Sequence, residues 1–318
     1  MTTVSDFSLP AFRAAQERII GRTRRTPLID AAPVKEDPAP GARLLLKLDN
    51  LQPTGSFKVR GASNTLMTLT DAQKQAGLIT ASGGNHGLGV AYAAAMAGSP
   101  AVIYLPTSTP AAKAEKLRSW GAEVISAGAV WDEANVAALE HAERSGMTYI
   151  HPFADPRVIH GQGTSALEIL EDAPETDILL VAIGGGGLIA GVAAATKAVK
   201  PDITVIGIEP TGAPTHFESR RAGKVITLDR IETRAGTLAP RRSDDLNFDL
   251  IQNHVDNIVL VEDSDMENAA RWLWFELGIA AELSGAAAVA ALMTGAVTIP
   301  DGKTVAAIVC GAGTDGIG

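Results

Sequence analysis

Short apolar runs alternate with helical stretches of small residues through most of this chain, and that alternation leaves few folds open. From about residue 71 the pattern reads as strand 77–81, helix 91–97, strand 101–105, helix 110–120, strand 122–126, helix 131–145 and a short strand 149–151. A second series follows, with helix 161–170, strand 177–183, helix 188–199, strand 203–208, helices 265–277 and 285–293, and a last strand 304–310. Several of these strands are apolar at nearly every position, so both of their faces are expected to be covered. Strands that alternate with helices form a parallel sheet with helices on both faces. The expectation is an α/β chain in two lobes, the first built on four strands. Ahead of both series stand an amphipathic helix at 10–20, a proline-rich loop at 31–41 and a strand at 43–48. Residues 220–253 hold clustered charges and Pro240, and read as loops around a site.

Composition narrows the class. The 318 residues can bury a large core, and with aromatics at only 4% that core must be built from Ala, Val, Ile and Leu. A formal net charge of -9 with no basic run argues against nucleic acid and anionic membrane as partners. One cysteine excludes an internal disulfide framework and fits a reducing compartment, so the expected location is cytoplasmic. Residues 1–6 lack a basic segment followed by an apolar one, so no signal peptide is read. The nearest approach to a membrane span, 181–199, is interrupted by glycines and Lys197.

Four stretches carry chemistry. The first is Leu51-Gln52-Pro53-Thr54-Gly55-Ser56-Phe57-Lys58, running on to Arg60-Gly61-Ala62. It places Lys58 at the start of a helix, where free N–H groups and the dipole favour anions and depress an amine pKa. Such an amine can attack a carbonyl. The second is Ser82-Gly83-Gly84-Asn85-His86-Gly87, after a strand and opening a helix, a place where open α/β sheets bind ligands. Its N–H groups and the Ser82 and Asn85 side chains suit a carboxylate. The third is Gly184-Gly185-Gly186-Gly187-Leu188, between a strand and a helix, whose amides can close on a phosphate. Residues 185–190 also fit a permissive G-x-G-x-x-A dinucleotide pattern, with Glu209 near the place of a ribose-binding acid. The fourth is Cys310, ending the last strand before Gly311-Ala312-Gly313.

The lysine stretch resembles the cofactor-lysine motif of the threonine/serine dehydratase family, within fold type II of the pyridoxal-phosphate enzymes. The resemblance implies a large cofactor-binding lobe from residues 1–70 and 153–318 and a small mobile lobe from 71–152. It implies that Lys58 carries pyridoxal phosphate, flanked by Phe57. Residues 82–87 are similar to the family's Ser-x-Gly-Asn-His loop. On that resemblance Asn85 meets the ring hydroxyl, and Ser82, Gly83, Gly84, Asn85 and His86 grip the substrate carboxylate. The tetraglycine and Leu188 correspond to the phosphate cup. This reading is preferred to a nicotinamide site, in which the lysine turn and the 82–87 loop would have no job. Cys310 corresponds to the neutral partner of the ring nitrogen, which favours elimination, although Gly311-Ala312-Gly313 departs from the commoner sequence. His151-Pro152-Phe153-Ala154-Asp155 and Gly161-Gln162-Gly163-Thr164 resemble the family's crossover between lobes. Glu282-Leu283-Ser284-Gly285-Ala286 resembles its segment beside the cofactor, and Gly236 the contact with the other ring face, though Arg234-Ala235 departs there.

The implied reaction is β-elimination on a hydroxy-amino acid such as L-threonine or L-serine, giving a 2-oxo acid and ammonia. Lys58 first holds the cofactor and then takes the α-proton. A racemase or β-replacement synthase of the same cofactor is the alternative. Racemases use a second acid/base, a serine, where this chain has Gly83. Some relatives bind a cation at a strand-end glutamate. Glu209 matches it, but Thr215 replaces the second carboxylate, so no tight metal site is expected. A homodimer is implied by analogy.

Overall fold

The computed structural model describes residues 6–317. Helix α1 (Leu9–Arg18) and strands β1 (Leu28–Asp30) and β2 (Arg43–Lys47) lead into α2 (Lys58–Met67) and α3 (Asp71–Ala76). Next come β3 (Leu78–Ala81), α4 (Asn85–Ala97), β4 (Ala101–Leu105), α5 (Ala111–Arg118), β5 (Glu123–Ser126), α6 (Trp131–Ser145) and β6 (Thr148–Tyr149). After a crossover follow α7 (Pro156–Asp172), β7 (Ile178–Ala182), α8 (Gly187–Val199), β8 (Thr204–Pro210) and α9 (Thr215–Ala222). The chain ends with α10 (Asp245–His254), β9 (Asn257–Val261), α11 (Asp263–Leu277), α12 (Leu283–Met293) and β10 (Thr304–Ile308).

The strands form two sheets. One has six strands in the order β1-β2-β10-β7-β8-β9, and the other four in the order β5-β4-β3-β6. β1 runs antiparallel to β2; the remaining pairs are parallel. Every residue of β3, β4, β7 and β10 is buried. That is why their sequences read as unbroken apolar runs, as expected for strands covered on both faces. The largest apolar cluster lies around the six-stranded sheet, with α8 and α12 packed into it almost entirely through Ala, Val, Leu and Ile. The cluster under the four-stranded sheet also takes in Ala62, Leu66, Leu69 and Val158, so α2 and α7 serve both lobes. Among the described residues, no helix is long and apolar enough to cross a membrane.

The two-lobed α/β architecture is the expected one, with local differences. α7 begins at Pro156 rather than 161, because the Asp155 side chain caps the Arg157 N–H and proline occupies the first turn. The segment 220–253, expected as loops, contains α10, capped by Asp244 through the Leu246 N–H. Strand β9 was not expected. It is the half-buried edge strand of the six-stranded sheet, with an apolar run, Ile258-Val259-Leu260-Val261, like that of the inner strands.

Beneath α2 lies a fully enclosed ionic group. Arg60 Nη2 is 2.8 Å from Asp49 Oδ1 and its Nη1 is 2.7 Å from Glu168 Oε1. Lys47 Nζ is 2.6 Å from Glu168 Oε2 and donates to the Thr26 carbonyl at 2.7 Å. Burial works against the Arg60 charge, but Asp49 and Glu168 outweigh it and raise its pKa. Burial likewise opposes the Asp49 charge, but Arg60 and Lys47 hold its pKa below the usual value. Lys47 itself is lowered, by burial first. Removing one member of such a group leaves an uncompensated buried charge. Arg60→Leu is therefore expected to destabilise the fold by about 3–5 kcal/mol. Urea denaturation would show this as a lower midpoint with an unchanged slope; an unchanged midpoint would contradict it.

Candidate active site

Adjacent parallel strands deliver three of the four motifs to one edge. β2, β10 and β7 lie side by side in the six-stranded sheet. Their C-terminal ends lead to the lysine turn, to Cys310 and to the tetraglycine loop. β3 of the other sheet ends at the Ser82–His86 loop. Parallel pairing places the first three on one edge, where open α/β sheets bind ligands, and the Asn85–Glu282 hydrogen bond brings the fourth loop to them.

Lys58 is the first residue of α2, as expected, with Phe57 at the N-cap. The turn before it is fastened to the end of β10: the Phe57 N–H donates to the Cys310 carbonyl at 3.1 Å and the Ala312 N–H to the Gly55 carbonyl at 2.7 Å. Thr54 takes a positive φ of 67 here, next to Gly55, which also lies in the left-handed region. Lys58 Nζ donates to the Pro152 carbonyl at 2.7 Å and lies 5.2 Å from the centre of the Phe57 ring. Withdrawal from water lowers the amine pKa to about 8, with Cys310 and Glu282 acting in the opposite sense. A substantial neutral fraction at neutral pH is what a nucleophilic amine needs.

Cys310 is buried, and its thiol donates to the Ser284 carbonyl at 3.4 Å. Burial, then Glu282, pushes its pKa up to about 12, so it stays a neutral thiol. Glu282 is raised as well, by burial. Its Oε1 accepts from Asn85 Nδ2 at 2.8 Å, from Ser284 Oγ at 2.5 Å and from Thr237 Oγ1 at 3.5 Å. Asn85, Glu282 and Cys310 thus stand together around the lysine. Gly236 opens the short turn that carries Thr237, and a Cβ there would meet nothing within 4 Å.

The tetraglycine loop joins β7 to α8, with Gly187 and the buried Leu188 as the first helical residues. Gly186 has a φ of 90, a conformation that favours glycine. Neighbouring backbone leaves no room for side chains: a Cβ on Gly184 would lie 2.6 Å from the Thr237 oxygen, and one on Gly187 2.6 Å from the Phe153 oxygen. A Cβ on Gly185 would run into the Phe153 ring. Phe153 directly follows Pro152, whose carbonyl holds Lys58, so one dipeptide ties the lysine to the loop. The loop presents free N–H groups at the positive end of a helix, with no side chain of its own to exclude an anion.

On the other wall, the Ser82–His86 loop opens α4, and the Gly84 N–H donates to Ser82 Oγ at 3.3 Å. A Cβ on Gly89, in the next turn of α4, would lie 3.1 Å from the Lys58 carbonyl, so this helix packs on the lysine backbone. His86 turns inward, with Nε2 3.0 Å from the Ile150 carbonyl and 3.1 Å from Thr80 Oγ1. Burial, then the Lys58 charge, lowers its pKa to about 3, so its imidazole is neutral. Glu209, by contrast, is occupied elsewhere. Its oxygens accept from the His216 and Phe217 N–H groups at 2.8 Å each, closing the first turn of α9. Burial pushes it up to about 8. Glu209, bound to α9 in this way, is not free to serve as a ribose-binding acid. Arg234 turns outward to Glu267 and Asp263.

Sequence reasoning missed the Pro152 carbonyl, the Arg60 ionic group, and Ser243 and Asn247, whose side chains donate to the Gly185 carbonyl at 3.0 and 2.7 Å. A backbone acceptor has no sequence signal. The other contacts join residues far apart in the chain.

The family described as “Pyridoxal-phosphate dependent enzyme” matches residues 19–311. The chain belongs to this family. It is similar to the L-threonine ammonia-lyase of Thermotoga maritima, with 38% identity over 308 residues, covering 97% of this chain and 76% of that one. It is 36% identical over 318 residues to a catabolic L-threonine dehydratase of Staphylococcus aureus, covering 99% and 91%. The solved structure of maize serine racemase superposes with a TM-score of 0.91 at 35% identity, covering 96% and 93%. The cofactor of this pyridoxal-phosphate enzyme is accordingly pyridoxal 5′-phosphate, and the buried amine and the side-chain-free anion loop fit its aldehyde and phosphate.

With Lys58 at a pKa of about 8, the cofactor-free enzyme is expected to capture pyridoxal phosphate faster as pH rises. The rate should climb about tenfold per pH unit below that value and level off above it, following the neutral amine. Stopped-flow absorbance checks this, and a rate still climbing at pH 10 would mean an ordinary lysine.

Proposed function

We propose that this enzyme is an ammonia-lyase that removes water from L-threonine or L-serine and releases the 2-oxo acid and ammonia. The observation that carries the reading is the convergence on Lys58 of a lowered-pKa amine, a neutral thiol and a helix N-terminus free of side chains. Lys58 holds the cofactor, and once displaced by the substrate amine it takes the α-proton as general base. The N–H groups of Gly184, Gly185, Gly186, Gly187 and Leu188 hold the phosphate. Asn85 would hold the ring hydroxyl and Cys310 the ring nitrogen, with Phe57, Gly236 and Glu282 beside the ring. Ser82, Gly83, Gly84, Asn85 and His86 form the carboxylate wall, with His86 serving through its backbone. The bound cofactor supplies an electron sink for the breaking C–H bond. A neutral thiol such as Cys310 would leave the ring nitrogen less protonated than a carboxylate would, which would favour elimination.

The serine racemase likeness raises a second reading, which the local geometry opposes. Gly83 has no hydroxyl to return a proton to the opposite face. A Cβ there would lie 3.1 Å from Thr109 Cγ2 and 3.3 Å from Leu105 Cδ2, so that wall is already filled. With the ammonia-lyase reading we also propose a cytoplasmic homodimer. That reading also makes residues 71–152 a small lobe that moves against 1–70 and 153–318. The separate sheets support such a division, although Ala62, Leu66, Leu69 and Val158 pack in the cluster under the four-stranded sheet.

Lys58→Ala should abolish the visible absorbance of the bound cofactor and lower turnover by at least about a thousandfold. Keto-acid release should be seen with L-threonine or L-serine, and chiral chromatography of recovered substrate should show no D-isomer. Full activity in Lys58→Ala, or D-serine as the main product, would overturn the reading.

A further inference from the structure

The Gly185 carbonyl is held from behind by two buried side chains. Ser243 Oγ donates to it at 3.0 Å and Asn247 Nδ2 at 2.7 Å. Asn247 Nδ2 also reaches the Phe153 carbonyl at 3.2 Å, so its amide must turn its NH₂ toward both oxygens. His216 closes the same wall. A Cβ on Gly186 would lie 2.7 Å from its Nε2, and the buried imidazole also faces the Gly185 carbonyl.

A trans peptide points its C=O and the following N–H in opposite directions. Pinning the Gly185 oxygen to the back wall therefore aims the Gly186 N–H to the front, into the mouth of the loop. The Gly186 oxygen accepts from the Ala190 N–H at 2.9 Å, which in the same way aims the Gly187 N–H outward from the helix end. The second peptide is held by the helix itself; the first is held by side chains. Four consecutive glycines form the chain's most easily flipped stretch. A flipped Gly185–Gly186 peptide would present a carbonyl to an anion instead of a donor.

We propose that Ser243 and Asn247 are positioning residues for the anion loop. They set the Gly185–Gly186 peptide before the anion arrives, and so set the preference for the phosphorylated cofactor over its dephosphorylated form. Donors already aimed need no reorganisation on binding. The inference rests on the assignment of the tetraglycine loop as the phosphate site.

Cofactor-free enzyme would be titrated with pyridoxal 5′-phosphate and, separately, with pyridoxal, following tryptophan fluorescence and visible absorbance. Wild type should prefer the phosphorylated form. Ser243→Ala and Asn247→Leu should each weaken pyridoxal-phosphate binding by about tenfold. Pyridoxal binding should change by less than about twofold. Competition by inorganic phosphate should weaken in the same variants, and Ser243→Thr, which keeps the hydroxyl, should restore wild-type behaviour. Equal losses for both ligands would mean a merely structural role, and unchanged affinities would mean no role; either overturns the proposal. A wild type with no preference between the two ligands would instead overturn the phosphate-site assignment, and this inference with it.

Discussion

Four charges sealed together under α2 hold the reactive end of that helix in place. Arg60 and Lys58 stand two residues apart, so they point to different sides of the helix. Arg60 is drawn down to Asp49 and Glu168, and Lys58 is thereby turned toward the cleft. The group joins four separate pieces of chain: the end of β2, the turn after it, the first turn of α2, and the middle of α7. α2 and α7 also meet backbone to backbone, since a Cβ on Gly161 would lie 2.6 Å from the Gly61 Cα. Hydrophobic packing alone would allow α2 to slide. Charge pairs with defined partners allow one register.

Above that foundation the cleft is nearly free of formal charge. The Cys310 thiol is neutral, His86 is neutral, and Glu282 is shifted toward its neutral form. The favourable field for an anion comes from backbone: the loop amides and the start of α8. Such a field carries no formal charge to desolvate, whereas a buried lysine or arginine would need its own counter-ion. The arrangement also leaves Lys58 without a strong neighbouring carboxylate to hold its proton, consistent with a pKa near 8.

Much of this architecture was legible because the strands that matter are buried on both faces. Residues 177–183 and 304–310 could only be covered strands, and the glycines after the first could only be a turn. Lys58, Asn85, the tetraglycine loop and Cys310 were readable as separate motifs, and the structure brings them together. What escaped was whatever depends on pairs distant in sequence. Asp49 and Glu168 carry no mark that they share Arg60. Ser243 and Asn247 lie in a polar stretch whose composition suggests a loop, although Asp244 starts a helix there. β9 carries the same apolar signal, Ile258-Val259-Leu260-Val261, and was legible too.

The Lys58–Pro152 hydrogen bond has a mechanical side. Pro152 lies on one of the two stretches of chain that join the sheets, the one that leaves β6 for α7. A rotation that draws this tether away from α2 would let go of the amine. Whatever engages the amine would, by the same thermodynamic linkage, favour that rotation. Arrival of a ligand at the lysine and the posture of the four-stranded lobe would then be two readings of one latch.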